Sequence, residues 1–118
     1  MMRSKYNAIK SGGYDSRKEH KRAEILKLLE RQGLISNLRE QVKYELIPKQ
    51  TDIEAIKTKK GIRYKETCTE RACNYIADFV YVENGKEVVE DSKGMRLPEY
   101  VIKRKLMLHV FGIKIKET

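Results

Sequence analysis

Apolar and polar positions change period several times along the chain, and each change marks a predicted element. From Ser16 onward Ala23 and Leu26 follow Glu19 by four and seven places, the spacing of one helical face. Ser16 with Glu19 three residues later is a capping-box signature, and Gly33 is a natural stop, so the pattern predicts a helix of about four to five turns. "NLREQVKYELIP" then sets Leu38, Val42, Tyr44 and Leu46 against Arg39, Gln41, Lys43 and Glu45, a half-buried strand closed by Pro48. "NYIADFVYV" and "KEVVEDSK" flank "ENG", a strong hairpin signal because Asn-Gly suits a type I′ turn. Pro98 opens a second helix, "PEYVIKRKLMLHVF", expected to turn Val101, Ile102, Leu106 and Leu108 inward before Gly112 ends it. "IKIK" reads as a short alternating edge strand whose lysines discourage further pairing.

Two stretches carry no clear period. Residues 1–14 hold Arg3, Lys5 and Lys10 and a Gly pair, and read as a flexible basic arm. Residues 49–73 carry only a faint tendency, a basic cluster at Lys57, Lys59 and Lys60, and a break at Gly61; they are expected to form a long, partly ordered connection. The remaining order is helix, strand, hairpin, helix, strand. It predicts an α/β fold in which helices flank a small mixed sheet, with residues 15–118 as one domain.

Composition narrows the function classes. No apolar run is long enough to span a bilayer, and no charged start, apolar stretch and small-residue cleavage site opens the chain, so a cytoplasmic protein with no membrane partner is expected. Lys and Arg number 26 against 17 acids, a net charge of +9. Such an excess favours a polyanionic partner, nucleic acid first, although a basic solubilising surface is the plain alternative. Cys68 and Cys73 are spaced too widely for a zinc knuckle and lie far from His20 and His109, so reduced thiols are expected.

The predicted hairpin raises the chemical question. With Asn84 and Gly85 as the loop, Val80 faces Val89, Val82 faces Glu87, and Asp78 faces Asp91. Asp78 thus interrupts a row of Ile76, Val80 and Val82 and meets a second acid across the ladder, a pairing that destabilises strands. A shared proton resolves the conflict, or a cation between the carboxylates does. Lys93, two residues beyond Asp91 on the same side, supplies one positive charge but cannot serve both acids alone. A hard divalent ion can, and a metal beside a lysine in a basic protein suits phosphodiester chemistry. The plain alternative is strand-end charges that point to water. For Glu19 likewise, helix capping and a catalytic role are both open.

Asp78, twelve intervening residues and then Asp91-Ser92-Lys93 resemble the PD-(D/E)xK nuclease signature. "SKYNA", "YDSRKEHKRAEILKLLERQGLISNLREQVKYEL", "YIADFVYVENGKEVVEDSKG" and the terminal "KRKL" and "FGIKI" are similar to small phage-encoded proteins of that superfamily, over residues 4–115. No proline precedes Asp78, a modest departure. The resemblance implies a restriction-endonuclease-like αβββαβ core in which Glu19 enters the site from the first helix. It implies that Asp78, Asp91 and Glu19, with the Ser92 carbonyl, hold Mg²⁺, for which Mn²⁺ substitutes. Lys93 would orient or deprotonate the attacking water, and Gln41 would add a polar side chain.

The implied function is a metal-dependent DNA endonuclease of low sequence specificity. It extends to branched DNA, as in Holliday junction resolution during phage replication or recombination in the host cytoplasm, with a homodimer placing two symmetric cuts. Lys5, Lys10, Lys57, Lys59, Lys60, Lys103, Arg104 and Lys105 are the candidate phosphate contacts. The rival reading is a non-catalytic nucleic-acid-binding or recombination accessory protein on a degenerate nuclease fold. A nuclease acting on RNA is a third.

Overall fold

The computed structural model describes residues 16–92 and 95–118. Its elements are α1 (Arg17–Arg31), β1 (Ser36–Ile47), β2 (Gln50–Thr58), β3 (Gly61–Glu70), β4 (Cys73–Glu83), β5 (Lys86–Asp91), α2 (Pro98–Phe111) and β6 (Lys116–Glu117). A four-stranded mixed sheet has the order β1-β4-β5-β6, antiparallel except for the parallel β5-β6 pair. β2 and β3 form a separate two-stranded ribbon. No helix among the described residues is long and apolar enough to cross a membrane.

α1 forms as its end signals require. The Ser16 side chain accepts the Glu19 N–H at 3.1 Å. At the other end the Leu34 N–H bonds the Leu29 carbonyl and the Gly33 N–H that of Glu30, with Gly33 at φ +77°. That pair of bonds is a Schellman motif, which glycine permits at no steric cost. It turns the chain so that Ile35 is buried beside Ala23, Leu26, Phe79 and Tyr81 on the α1 side of the sheet. The opposite side carries Leu46, Tyr75, Ala77, Val80, Val89, Tyr100, Met107 and Ile115, packed with α2.

The β4-β5 hairpin has the expected register, Val80 opposite Val89 and Val82 opposite Glu87. Asn84 at φ +52° and Gly85 at φ +75° make its two-residue turn.

Four expectations are corrected. Residues 49–73 are not a long connection but largely the β2–β3 ribbon, closed at Lys59 and Lys60, where the Thr58 hydroxyl donates to the Gly61 carbonyl at 2.9 Å. Almost every ribbon residue is exposed, so neither face needed the apolar alternation that reveals a half-buried strand. α2 turns Tyr100 and Met107 inward, whereas Ile102 and Leu108 are exposed. The last strand is Lys116–Glu117 rather than 113–116, because Ile113 and Ile115 are spent on the α2-side core before pairing begins.

The fourth correction concerns strand faces. Leu38 packs on the α1 side, but Val42, Tyr44 and Leu46 pack on the α2 side. In β4, Tyr75 and Ala77 face α2, while Phe79 and Tyr81 face α1. Period 2 would keep each set together. Both strands therefore exchange faces at the same level, Gln41 and Asp78, while the register continues unchanged from Glu40 opposite Phe79 to Val42 opposite Ala77. Gln41 has φ +54°, a left-handed conformation that costs an L-residue about 1–2 kcal/mol. Ile76 consequently does not join an apolar row with Val80; it is half exposed where Val80 is fully buried.

Candidate active site

The place where β1 and β4 exchange faces is also where β4 and β5 part. Their ladder ends at Phe79 opposite Glu90, one step before Asp78 and Asp91. Continuing the register by that step sets the two acids level. Asp78 instead uses its side chain, Oδ2 accepting the Ser92 N–H at 2.9 Å. The carboxylate thus caps the end of β5 and ties Ser92 to β4.

Asp91 is fully buried and Asp78 nearly so. Tyr75 Oη donates to Asp91 Oδ2 at 2.5 Å. Burial raises the Tyr75 phenol far above its ordinary range, and the hydrogen bond to Asp91 and the charges of Asp91 and Asp78 push the same way. Tyr100, whose ring centroid lies 6.4 Å from that of Tyr75, is also raised, by burial, by its hydrogen bond to Glu117 and by the Asp91 charge. Both phenols stay protonated at neutral pH, so Tyr75 serves as a fixed donor to Asp91.

Glu19 is buried at the start of α1, and Gln41 Nε2 donates to its Oε2 at 3.1 Å. The strained backbone of Gln41 therefore has a use, since it carries this amide to the first turn of α1 at the level of Asp78. Strain of this kind collects at functional sites. The Glu19 N–H donates to the Ser16 hydroxyl while its carboxylate accepts from Gln41, so the two sequence readings of the residue are not exclusive.

Glu19 and Gln41 are thus brought together, as are Asp78 and Ser92, with Asp91 beside Tyr75. Lys93, Lys5 and Lys10 lie outside the described residues. Among the described residues no group of three or more His, Cys, Asp or Glu side chains could hold a metal ion. Cys68 and Cys73 are free thiols. Lys57, Lys59, Lys60 and Lys105 are exposed, the first three at the ribbon tip. Lys103 is ion-paired with Glu99 at 3.1 Å and Arg104 with Glu117 at 3.2 Å, so a phosphate must compete with these carboxylates.

Sequence reasoning missed the first carboxylate of "VVED". Glu90 is fully buried, and Arg22 grips it with two bonds of 2.6 and 3.0 Å while Tyr81 Oη donates at 2.6 Å and Thr118 Oγ1 at 3.1 Å. Burial alone raises the Glu90 carboxyl, but the Arg22 and Tyr81 hydrogen bonds and the Arg22 charge outweigh it and hold it below its usual range. The clamp joins α1, one turn beyond Glu19, to the residue preceding Asp91. Its signal was present in Arg22, which sits beside Ala23 at the edge of an apolar stripe.

Neither a comparison with curated proteins nor one with solved structures found a match. Residues 3–117 do match one family model, described as "Protein of unknown function (DUF1064)". With nearly the whole chain covered, the protein belongs to the DUF1064 family.

Proposed function

We propose that this protein is a metal-dependent DNA endonuclease on a restriction-endonuclease-like core. With the β2–β3 ribbon set aside as an insertion, the element order is αβββαβ, which supports the reading. The observation that carries it is the pair of buried carboxylates at the parting of β4 and β5, Asp78 holding the Ser92 N–H and Asp91 one register step past the last pair.

The donor set fits a divalent metal. Its atoms are carboxylate and carbonyl oxygens, the hard ligands that magnesium takes, and the buried Ser92 Oγ has no hydrogen-bond partner among the described residues. Magnesium is commonly held by one or two carboxylates, with water and substrate phosphate completing its shell, so a third acid close by is not required. Asp78 and Asp91, with the Ser92 carbonyl, would hold Mg²⁺ or Mn²⁺, and Glu19 would add a further carboxylate. When bound, such an ion polarises a phosphoryl oxygen and makes a water molecule more acidic.

The chain's own groups have separable tasks. Tyr75 fixes the orientation of Asp91, and the Ser92 N–H fixes that of Asp78. Gln41 holds Glu19. Lys93, two residues past Asp91, orients or deprotonates the attacking water and offsets charge on the phosphate. Lys59, Lys60 and Lys105 contact the DNA backbone, which yields affinity without sequence readout and favours selection by DNA shape, four-way junctions included.

The test is cleavage of linear, single-stranded, flapped and four-way DNA with and without Mg²⁺. Wild type is expected to cut only with metal, and Lys93→Ala to lose about 10²-fold or more in rate. Asp91→Ala should show no cutting. If all three proteins bind DNA equally and none cuts, the accessory-protein reading replaces this one.

A further inference from the structure

The β2–β3 ribbon projects without substantial contact to other described elements, and an isolated two-stranded hairpin is marginal in water. Its register sets Ile53 opposite Glu66, Ala55 opposite Tyr64 and Lys57 opposite Ile62, so these six side chains share one face. The large apolar members are among the most exposed in the protein, Ile53 at 71%, Tyr64 at 70% and Ile62 at 60%.

Charge is divided along the same ribbon. On this face the two charged residues differ in sign, Lys57 toward the tip and Glu66 toward the base; Asp52, Glu54, Arg63 and Lys65 belong to the other face. Nucleic acid would satisfy the tip alone. It leaves the apolar row uncovered and meets the Glu66 carboxylate toward the base. A second ribbon running the opposite way satisfies both halves at once.

We propose that this face is a self-association surface: two copies pack their ribbons face to face and antiparallel about a two-fold axis at the Ala55–Tyr64 level. The axis sets Ile53 of each copy at the level of Ile62 in the other and Lys57 at the level of Glu66. An isologous contact of this kind is closed, so assembly stops at the dimer. Lys59 and Lys60 lie in the turn beyond the paired levels and remain available to phosphate. The inference stands independently of the nuclease reading.

Sedimentation velocity of the full chain without DNA tests it. Wild type should pass from monomer to dimer with rising concentration, in the micromolar-to-millimolar range in which small interfaces associate. Lys57→Glu sets acid against acid, and Glu66→Lys base against base. Each should weaken the dimer about tenfold or more, because like charges then stand at one level across the interface. An equimolar mixture of the two single variants makes every facing pair complementary and should restore dimers. Both positions are exposed on the ribbon, and unchanged melting temperatures would exclude misfolding. A monomeric wild type at all concentrations, or a mixture no more associated than its components, overturns the proposal. Loss of DNA binding in Lys57→Glu with the mass distribution unchanged overturns it in favour of a nucleic-acid arm.

Discussion

Replacing Arg22 with alanine removes both guanidinium bonds from a carboxylate that has no solvent exposure. Breaking a buried ion pair from one side costs about 3–5 kcal/mol. Two limits bear on the figure here. Tyr81 and Thr118 still donate to Glu90, and the carboxyl can take a proton instead of staying charged. Protonating a group of ordinary pKa 4.5 at pH 7 costs about 3.4 kcal/mol. The loss at pH 7 is therefore about 3 kcal/mol, and a melting temperature roughly 12 °C lower is expected for a chain of this size.

The sign of the pH dependence separates this mechanism from simple loss of packing. In wild type Glu90 lies below 4.5, so its contribution is fully present above pH 4.5 and disappears as pH falls through the lower folded value. In Arg22→Ala the unpaired buried carboxyl lies above 4.5, so the variant gains stability as pH falls from 7 toward 4.5. Melts followed by circular dichroism at pH 7, 6 and 5 should show the gap between the two proteins narrowing. Glu90→Gln in the Arg22→Ala background should recover part of the loss at pH 7. A gap that is constant with pH, or under about 2 °C at pH 7, would refute the clamp.

Tyr75→Phe removes the donor to buried Asp91 and should cost about 1–3 kcal/mol by urea unfolding. Gly85→Ala meets no atom within 4 Å, so only its φ of +75° opposes the side chain; a loss of about 1 kcal/mol in the same assay is expected. Ser16→Ala deletes the helix cap and should also cost about 1 kcal/mol, with the first turn of α1, and Glu19 with it, losing amide exchange protection.

The elements that were legible in the sequence are those whose signals are local. Asn84-Gly85 sets a turn that fixes one register, and the whole β4-β5 pairing follows from it. Ser16, Gly33, Pro98 and Gly112 bound the helices for steric and hydrogen-bonding reasons that hold wherever the chain lies. What could not be read depends on partners distant in sequence. The face exchange at Gln41 and Asp78 preserves register, so no shift in apolar period announces it. The outward turn of Ile102 and Leu108 is decided by where α2 lies on the sheet. The ribbon escaped notice because neither of its faces is buried, and the Arg22–Glu90 clamp joins positions 68 residues apart. At the site, Asp78 and Asp91 were found through the turn, but Tyr75 needed coordinates to connect it with Asp91.

Isothermal titration of Mg²⁺ into the protein, with Asp78→Ala and Asp91→Ala alongside, tests most directly whether the paired carboxylates form a metal centre. Saturable binding by wild type that is lost in both variants and kept in Lys93→Ala is the predicted result. No binding by wild type with or without DNA, or equal binding by wild type and the two alanine variants, would contradict it.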